Sequence, residues 1–158
     1  MRNVLGISLG TRTVGLAVFY KGKLSDWRMK TFYDKWSDVK CTAILGMIEK
    51  MVLRNGSSAI AIKTPIPELC SENIRRLLEG VQALSLKHRT TFLHCTIHDL
   101  KARYSPEYRV HKDIFISTML ERYPRLAGIY EKKKRHGSYY DKIFEAIECG
   151  EYALEAGL

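Results

Sequence analysis

The chain has 158 residues, enough for one domain with a proper core, and 46% of them are hydrophobic, which excludes a disordered protein. A formal charge of +9, from 26 Lys plus Arg against 17 Asp plus Glu, favours a polyanionic partner, with nucleic acid the first candidate. No apolar run approaches a membrane span and the start, MRNVLGISLG, lacks a signal-peptide cleavage site, so no membrane partner and a cytoplasmic location are expected.

Residues 2 to 9 read as a buried strand, and 13 to 20 as its hairpin partner across Gly10-Thr11-Arg12. Lys21-Gly22 makes a second tight turn into a third strand over 23 to 32. Ser37 suits a helix N-cap, Ala43, Ile44, Met47, Ile48, Met51 and Val52 recur at helical spacing, and Asn55-Gly56 ends the helix. A fourth strand, SAIAIK at 58 to 63, is stopped by Thr64-Pro65-Ile66-Pro67. Ser71 caps a second helix through about Lys87, and TTFLHCT at 90 to 96 is a fifth strand. Then come a short segment HDLKARY, a helix from about Arg109 to Tyr123, a basic loop EKKKRHG and a last helix from about Tyr139 to Ala156. There are no repeats, low-complexity tracts or linkers, so residues 1 to 158 read as a single domain.

This order predicts an α/β fold, a five-stranded mixed sheet flanked by helices. The first three strands join by turns too short for a crossover and are antiparallel neighbours; the later ones join through helices and run parallel. A site in such a sheet lies beyond the carboxyl ends of the parallel strands, which puts Ser8 and Lys63, after strands one and four, in one cleft. Four cysteines, Cys41, Cys70, Cys95 and Cys149, show no CxxC spacing, so buried or half-buried thiols are expected rather than a zinc site or disulfide framework. The five histidines have no metal-ligand spacing, and no GxSxG-type nucleophile motif is present. Asp99 and Asp113 read as cap or surface charges.

The opening LGISLGTRTVGLAV resembles the first hairpin of the RuvC Holliday-junction resolvases, in the RNase H-like superfamily, whose usual form is GIDPGTRNTGYAV. DLKARYSPEYRVHKDIFISTMLERYPRL is similar to the RuvC segment in which a lysine pair flanks a basic loop, with Lys101 and Lys112 at those lysines. SYYDKIFEAIECGEYAL resembles the terminal helix with its DxxDALA pattern. The YqgF-type resolvases are a near alternative, since they share the hairpin and a basic run before a terminal Asp-Lys, as in KKKRHGSYYDK. The RuvC resemblance also implies a possible homodimer.

Such nucleases hold two divalent cations about 3.5–4 Å apart with clustered carboxylates. Carried over residue by residue, the carboxylate positions are Ser8, Lys63, Ser138 and Asp141, and only Asp141 is acidic. An ammonium about 5 Å from a divalent ion, at an effective dielectric near 20, is repelled by roughly 6–7 kcal/mol. The catalytic set therefore reads as vestigial, with no metal and no cofactor, and Lys63 is expected close to Asp141. Gly6, Gly10 and Gly15 support the fold more than activity.

The expected function is a catalytically degenerate RuvC-like domain that binds nucleic acid, DNA for preference, through Arg12, Lys101, Arg103, Lys112, Lys132, Lys133, Lys134 and Arg135. Tyr139 and Tyr140 could stack on bases, although at least one is expected to pack instead. Two alternatives stand beside this. One is an active Mg-dependent endonuclease with a displaced metal set, Asp141 with Glu68 or Glu145; the other is a protein-interaction module derived from a nuclease. A sugar-kinase or actin-like ATPase, which shares the GxxxGT-type first hairpin, is not expected, because that fold needs a second related domain that 158 residues cannot hold.

Overall fold

A computed structural model describes residues 2–104 and 112–158; the side chains of Lys112, Asp113, Phe115 and Ser138 also lie outside the described set. Five strands, β1 (Val4–Ser8), β2 (Thr13–Tyr20), β3 (Lys23–Thr31), β4 (Ala59–Lys63) and β5 (Thr91–Cys95), form one sheet in the order β3-β2-β1-β4-β5. β2 is antiparallel to both β1 and β3, while β1, β4 and β5 run parallel. The expected mixed sheet is therefore present, with β1 and β4 adjacent. Its cause is the one read from the turns: Gly10–Arg12 and Lys21-Gly22 leave no room for a crossover.

Helix α1 (Asp38–Asn55) begins where Ser37 accepts a hydrogen bond from the Lys40 amide at 3.1 Å and ends at Gly56, whose φ of 59° is left-handed. Helix α2 (Glu72–Lys87) is capped by Ser71 in the same way. These two cover one face of the sheet, packing Ile44, Ile48, Met51, Leu77 and Val81 on Leu5, Ile7, Leu16, Ile60 and Ile62.

The other face is covered by α6 (Asp141–Glu155), with α3 (Ile97–Ala102), α4 (Lys112–Arg122) and α5 (Ala127–His136) beyond it. The sequence reading leaves HDLKARY without a helix and EKKKRHG as a loop, and the structure corrects both. A capping box at Thr96 and Asp99 starts α3, and the basic run forms the last turn of α5. Lysines are good helix formers, and cations there complement the helix dipole. Arg109, the expected start of α4, lies outside the described residues.

α6 lies almost on the sheet backbone. A Cβ on Gly6 would stand 2.2 Å from the Ala146 carbonyl oxygen, and one on Gly15 would stand 2.1 Å from that of Lys142. The hairpin glycines thus permit a close helix–sheet contact, a packing role. All four cysteines are free thiols; Cys95 on β5 and Cys149 on α6 meet in the core at 3.1 Å, and burial pushes the Cys149 thiol well above its ordinary pKa. Among the described residues no helix is long and apolar enough to cross a membrane.

Candidate functional site

Strand pairing sets the site. Gly15 on β2 lies opposite Ser8 on β1, Ser8 is in register with Lys63 on β4, and Lys63 with Cys95 on β5. This row crosses the sheet at the carboxyl ends of the parallel strands. Leu5, Ile7, Ile60 and Ile62 belong to the α1 and α2 side, so the alternation of the pleat sends Ser8 and Lys63 to the α6 side.

α6 supplies the acids. Asp141 stands in its first turn and Glu145 one turn later, both buried on the face toward the sheet. Ser8 is fully buried and its hydroxyl donates to Glu145 Oε1 at 3.3 Å. The Lys63 ammonium lies 2.7 Å from Glu145 Oε2, with side-chain exposures of 11% and 3%, too low for solvent to screen the pair appreciably. The lysine's ion pair is thus with Glu145, one turn beyond the expected Asp141. Asp141 itself has the Lys133 ammonium 3.5 Å away.

The structure brings Ser8, Lys63 and Glu145 into direct contact, with Asp141 and Lys133 beside them. Ser138 lies in the 3-10 turn Gly137–Tyr140 just before α6. Glu145 is legible in the sequence only as a member of the displaced set; its signal is the i, i+4 step from Asp141, which keeps both carboxylates on one helix face. Glu68, the other member, is exposed in the turn Pro67–Leu69.

The expected phosphate ligands divide. Arg12 is exposed at the hairpin tip, its guanidinium 5.8 Å from the Tyr33 ring centre. Lys132, Lys134 and Arg135 are exposed or half-exposed on α5, whereas Lys133 turns inward to Asp141. Lys101 is half-buried in the last turn of α3, and Lys112 opens α4. Tyr139 packs edge-on against Tyr140 and shares a 2.6 Å hydrogen bond with Thr31, so it holds the turn to β3.

Arg103 sits away from solvent. It is expected at the nucleic-acid surface, yet its side chain is only 12% exposed and is held among Glu148, Glu151 and Glu155 of α6. Arg122 joins the same cluster, 2.6 Å from Glu151 and 3.2 Å from Glu148, with Tyr123 donating to Glu151 at 2.6 Å. The spacing 148, 151, 155 stacks three carboxylates on one face of α6, and a half-buried arginine nearby is drawn to them rather than to solvent. Burial pushes the Glu148 carboxyl up to about 7, against the downward pull of Tyr104 and Arg103.

No family profile and no curated protein matches the chain. Solved structures do. The chain is similar to RuvC from Thermus thermophilus at 15% identity, covering 98% of this chain and 94% of that one, with a TM-score of 0.69. It is also similar to the yeast mitochondrial Holliday junction resolvase Ydc2 at 10% identity, with 97% and 78% covered and a TM-score of 0.71.

The chain has the RNase H-like fold of RuvC.

A T. thermophilus RuvC in complex with Holliday junction substrate matches over 65% of this chain and 69% of that one, at 16% identity and a TM-score of 0.56. At the carboxyl edge of this sheet, the described side chains mix cations with acids. Ser8 offers a neutral hydroxyl, Lys63 is itself a cation, Glu145 is engaged by Lys63, and Asp141 faces Lys133. Two ammonium groups thus stand among the carboxylates, where they lower the net negative charge.

Proposed function

We propose that the chain is a nuclease-derived domain that binds nucleic acid, DNA for preference, without metal-dependent cleavage. The observation that carries this reading is the buried Lys63–Glu145 ion pair, at 2.7 Å, on the register row shared with Ser8. The ammonium neutralises the carboxylate from within, so the cleft has no net anionic charge to recruit a cation. The outward cations of α5 and the hairpin Arg12 then offer phosphate contacts near that edge.

The test has two arms. Purified protein should leave a four-way junction and a duplex intact with Mg²⁺ or Mn²⁺, and should bind DNA with an affinity that falls steeply with salt. Replacing Lys132, Lys134 and Arg135 by alanine should weaken binding and flatten the log–log salt slope by roughly 0.9 for each phosphate no longer neutralised. An unchanged slope removes α5 from the interface. Binding that ignores salt favours a protein-interaction module.

A second reading rests on one observation: Asp141 and Glu145 are buried one turn apart on the same face of α6. A displaced metal set would start from these two carboxylates. It requires Lys63 and Lys133 to swing out, and robust wild-type cleavage abolished by Asp141→Asn would establish it in place of the first.

A further inference from the structure

Among the described residues, the face of the sheet away from α6 is covered by α1 and α2, and α1 leaves the edge strand β3 open alongside it. β3 pairs Asp26 with Val18, Arg28 with Leu16 and Lys30 with Val14, so these three polar residues share the face of core residues that pack under α1. Between α1 and β3 runs a hollow of 190 Å³, floored by Leu16, Met47 and Met51. Its rim carries Arg28 and Lys30 from the strand and Lys50 and Arg54 from the helix, all exposed. A second hollow of 140 Å³ continues it along Val18 and shares Arg28, Met51 and Arg54. The acid there, Asp26, is paired with Arg28 at 2.9 Å.

We infer that this trough is a docking surface for an acidic, amphipathic segment of a partner protein. Charge complementarity sets the sign, because every ionic residue lining the larger hollow is a cation. The floor sets the class. Two thioethers and a leucine accept aliphatic or aromatic side chains of varied shape, and thioethers adapt to them. No aromatic residue lines either hollow to stack a base, which favours protein over nucleic acid. The partner segment places one or two apolar anchors between α1 and β3, and its flanking carboxylates meet the rim. This surface is independent of the carboxyl-edge site on the opposite side of the sheet, so either reading can fail without the other.

The experiment is a selection of random displayed peptides on the full chain and on the Lys30→Glu, Arg54→Glu variant. Both changes are at exposed positions, and equal urea midpoints check that the fold is retained. Peptides enriched on the wild type should combine Asp or Glu with Leu, Phe or Met, and should bind the variant at least about tenfold more weakly, a drop ordinary for residues that matter to an interface. Adding the strongest peptide should move the Met47 and Met51 methyl resonances. Enriched peptides lacking acids, equal binding to the variant, or methyl shifts confined to methionines that do not line the hollow would each overturn the inference. So would movement of these two methyls by a DNA duplex in the absence of peptide enrichment, which would make the trough a phosphate surface.

Discussion

Replacing Lys63 by methionine keeps much of the length of the side chain and removes its charge. At 2.7 Å and an effective dielectric near 20, its attraction to Glu145 is about 6 kcal/mol before desolvation is subtracted. Removing one partner of such a pair leaves a charge buried, which costs about 3–5 kcal/mol. That is a large part of the 5–15 kcal/mol or so that holds a domain together, and corresponds to a melting temperature lower by roughly 10 °C. Glu145→Gln should destabilise similarly, because it strands the ammonium. The double variant should recover much of the loss, with a coupling energy of about 2–3 kcal/mol. Urea unfolding of all four proteins, followed through Trp27 and Trp36, gives the cycle directly. Additive single effects would show that the two side chains do not pair in solution, and the argument that an internal cation occupies the carboxyl-edge site would fall with them.

Arg103→Ala should lower stability and leave DNA affinity and its salt slope unchanged, because its guanidinium is engaged by Glu148 and Glu155; a flattened slope would return Arg103 to the interface. With its folded carboxyl at about 7 against an ordinary 4.5, Glu148 keeps a proton that the unfolded chain has released. Its contribution is therefore fully present below pH 4.5 or so and lost as pH rises through about 7, so urea midpoints at pH 5 and pH 8 should differ more in the wild type than in Glu148→Gln. Gly15→Ala, whose methyl would meet the Lys142 carbonyl at 2.1 Å, should cost about 3 kcal/mol or prevent folding, measured by the same unfolding curves.

Strand boundaries and order were legible because turn chemistry decides them: two short turns force antiparallel pairing, and intervening helices force parallel pairing. From that order Ser8 and Lys63 were expected in one cleft, and the strand register sets them side by side. The partner of Lys63 was less legible. Asp141 and Glu145 lie on the same face of α6, and which of them meets the lysine depends on how far the helix slides along the sheet. That slide is fixed by Gly6 and Gly15, through backbone contacts that no periodicity reports. The acidic partners of Arg103 were hidden for a related reason. A single arginine reads as a surface cation until the three carboxylates of α6 that flank it in space are known, and they lie about 50 residues away in sequence.

The same slide ties packing to chemistry. With α6 seated on the sheet backbone, any side chain of the row through Ser8 and Lys63 is closed off from solvent, and any acid of the inward helix face needs a cation. A divalent ion and an internal lysine are alternative ways to meet that need, and they exclude each other by charge. Changing Ser8 to Asp and Lys63 to Glu should therefore convert a self-neutralised cleft into an unpaired anionic one, less stable than the wild type without metal and stabilised by millimolar Mg²⁺ or Mn²⁺. The stabilisation should grow with the logarithm of metal concentration once the site is saturated, since only the folded state binds. Thermal melts with and without metal measure it, and the wild type, with Lys63 in place, should show no such dependence. A double variant equally indifferent to metal would mean that the carboxyl edge lacks the geometry of a metal site as well as the charge.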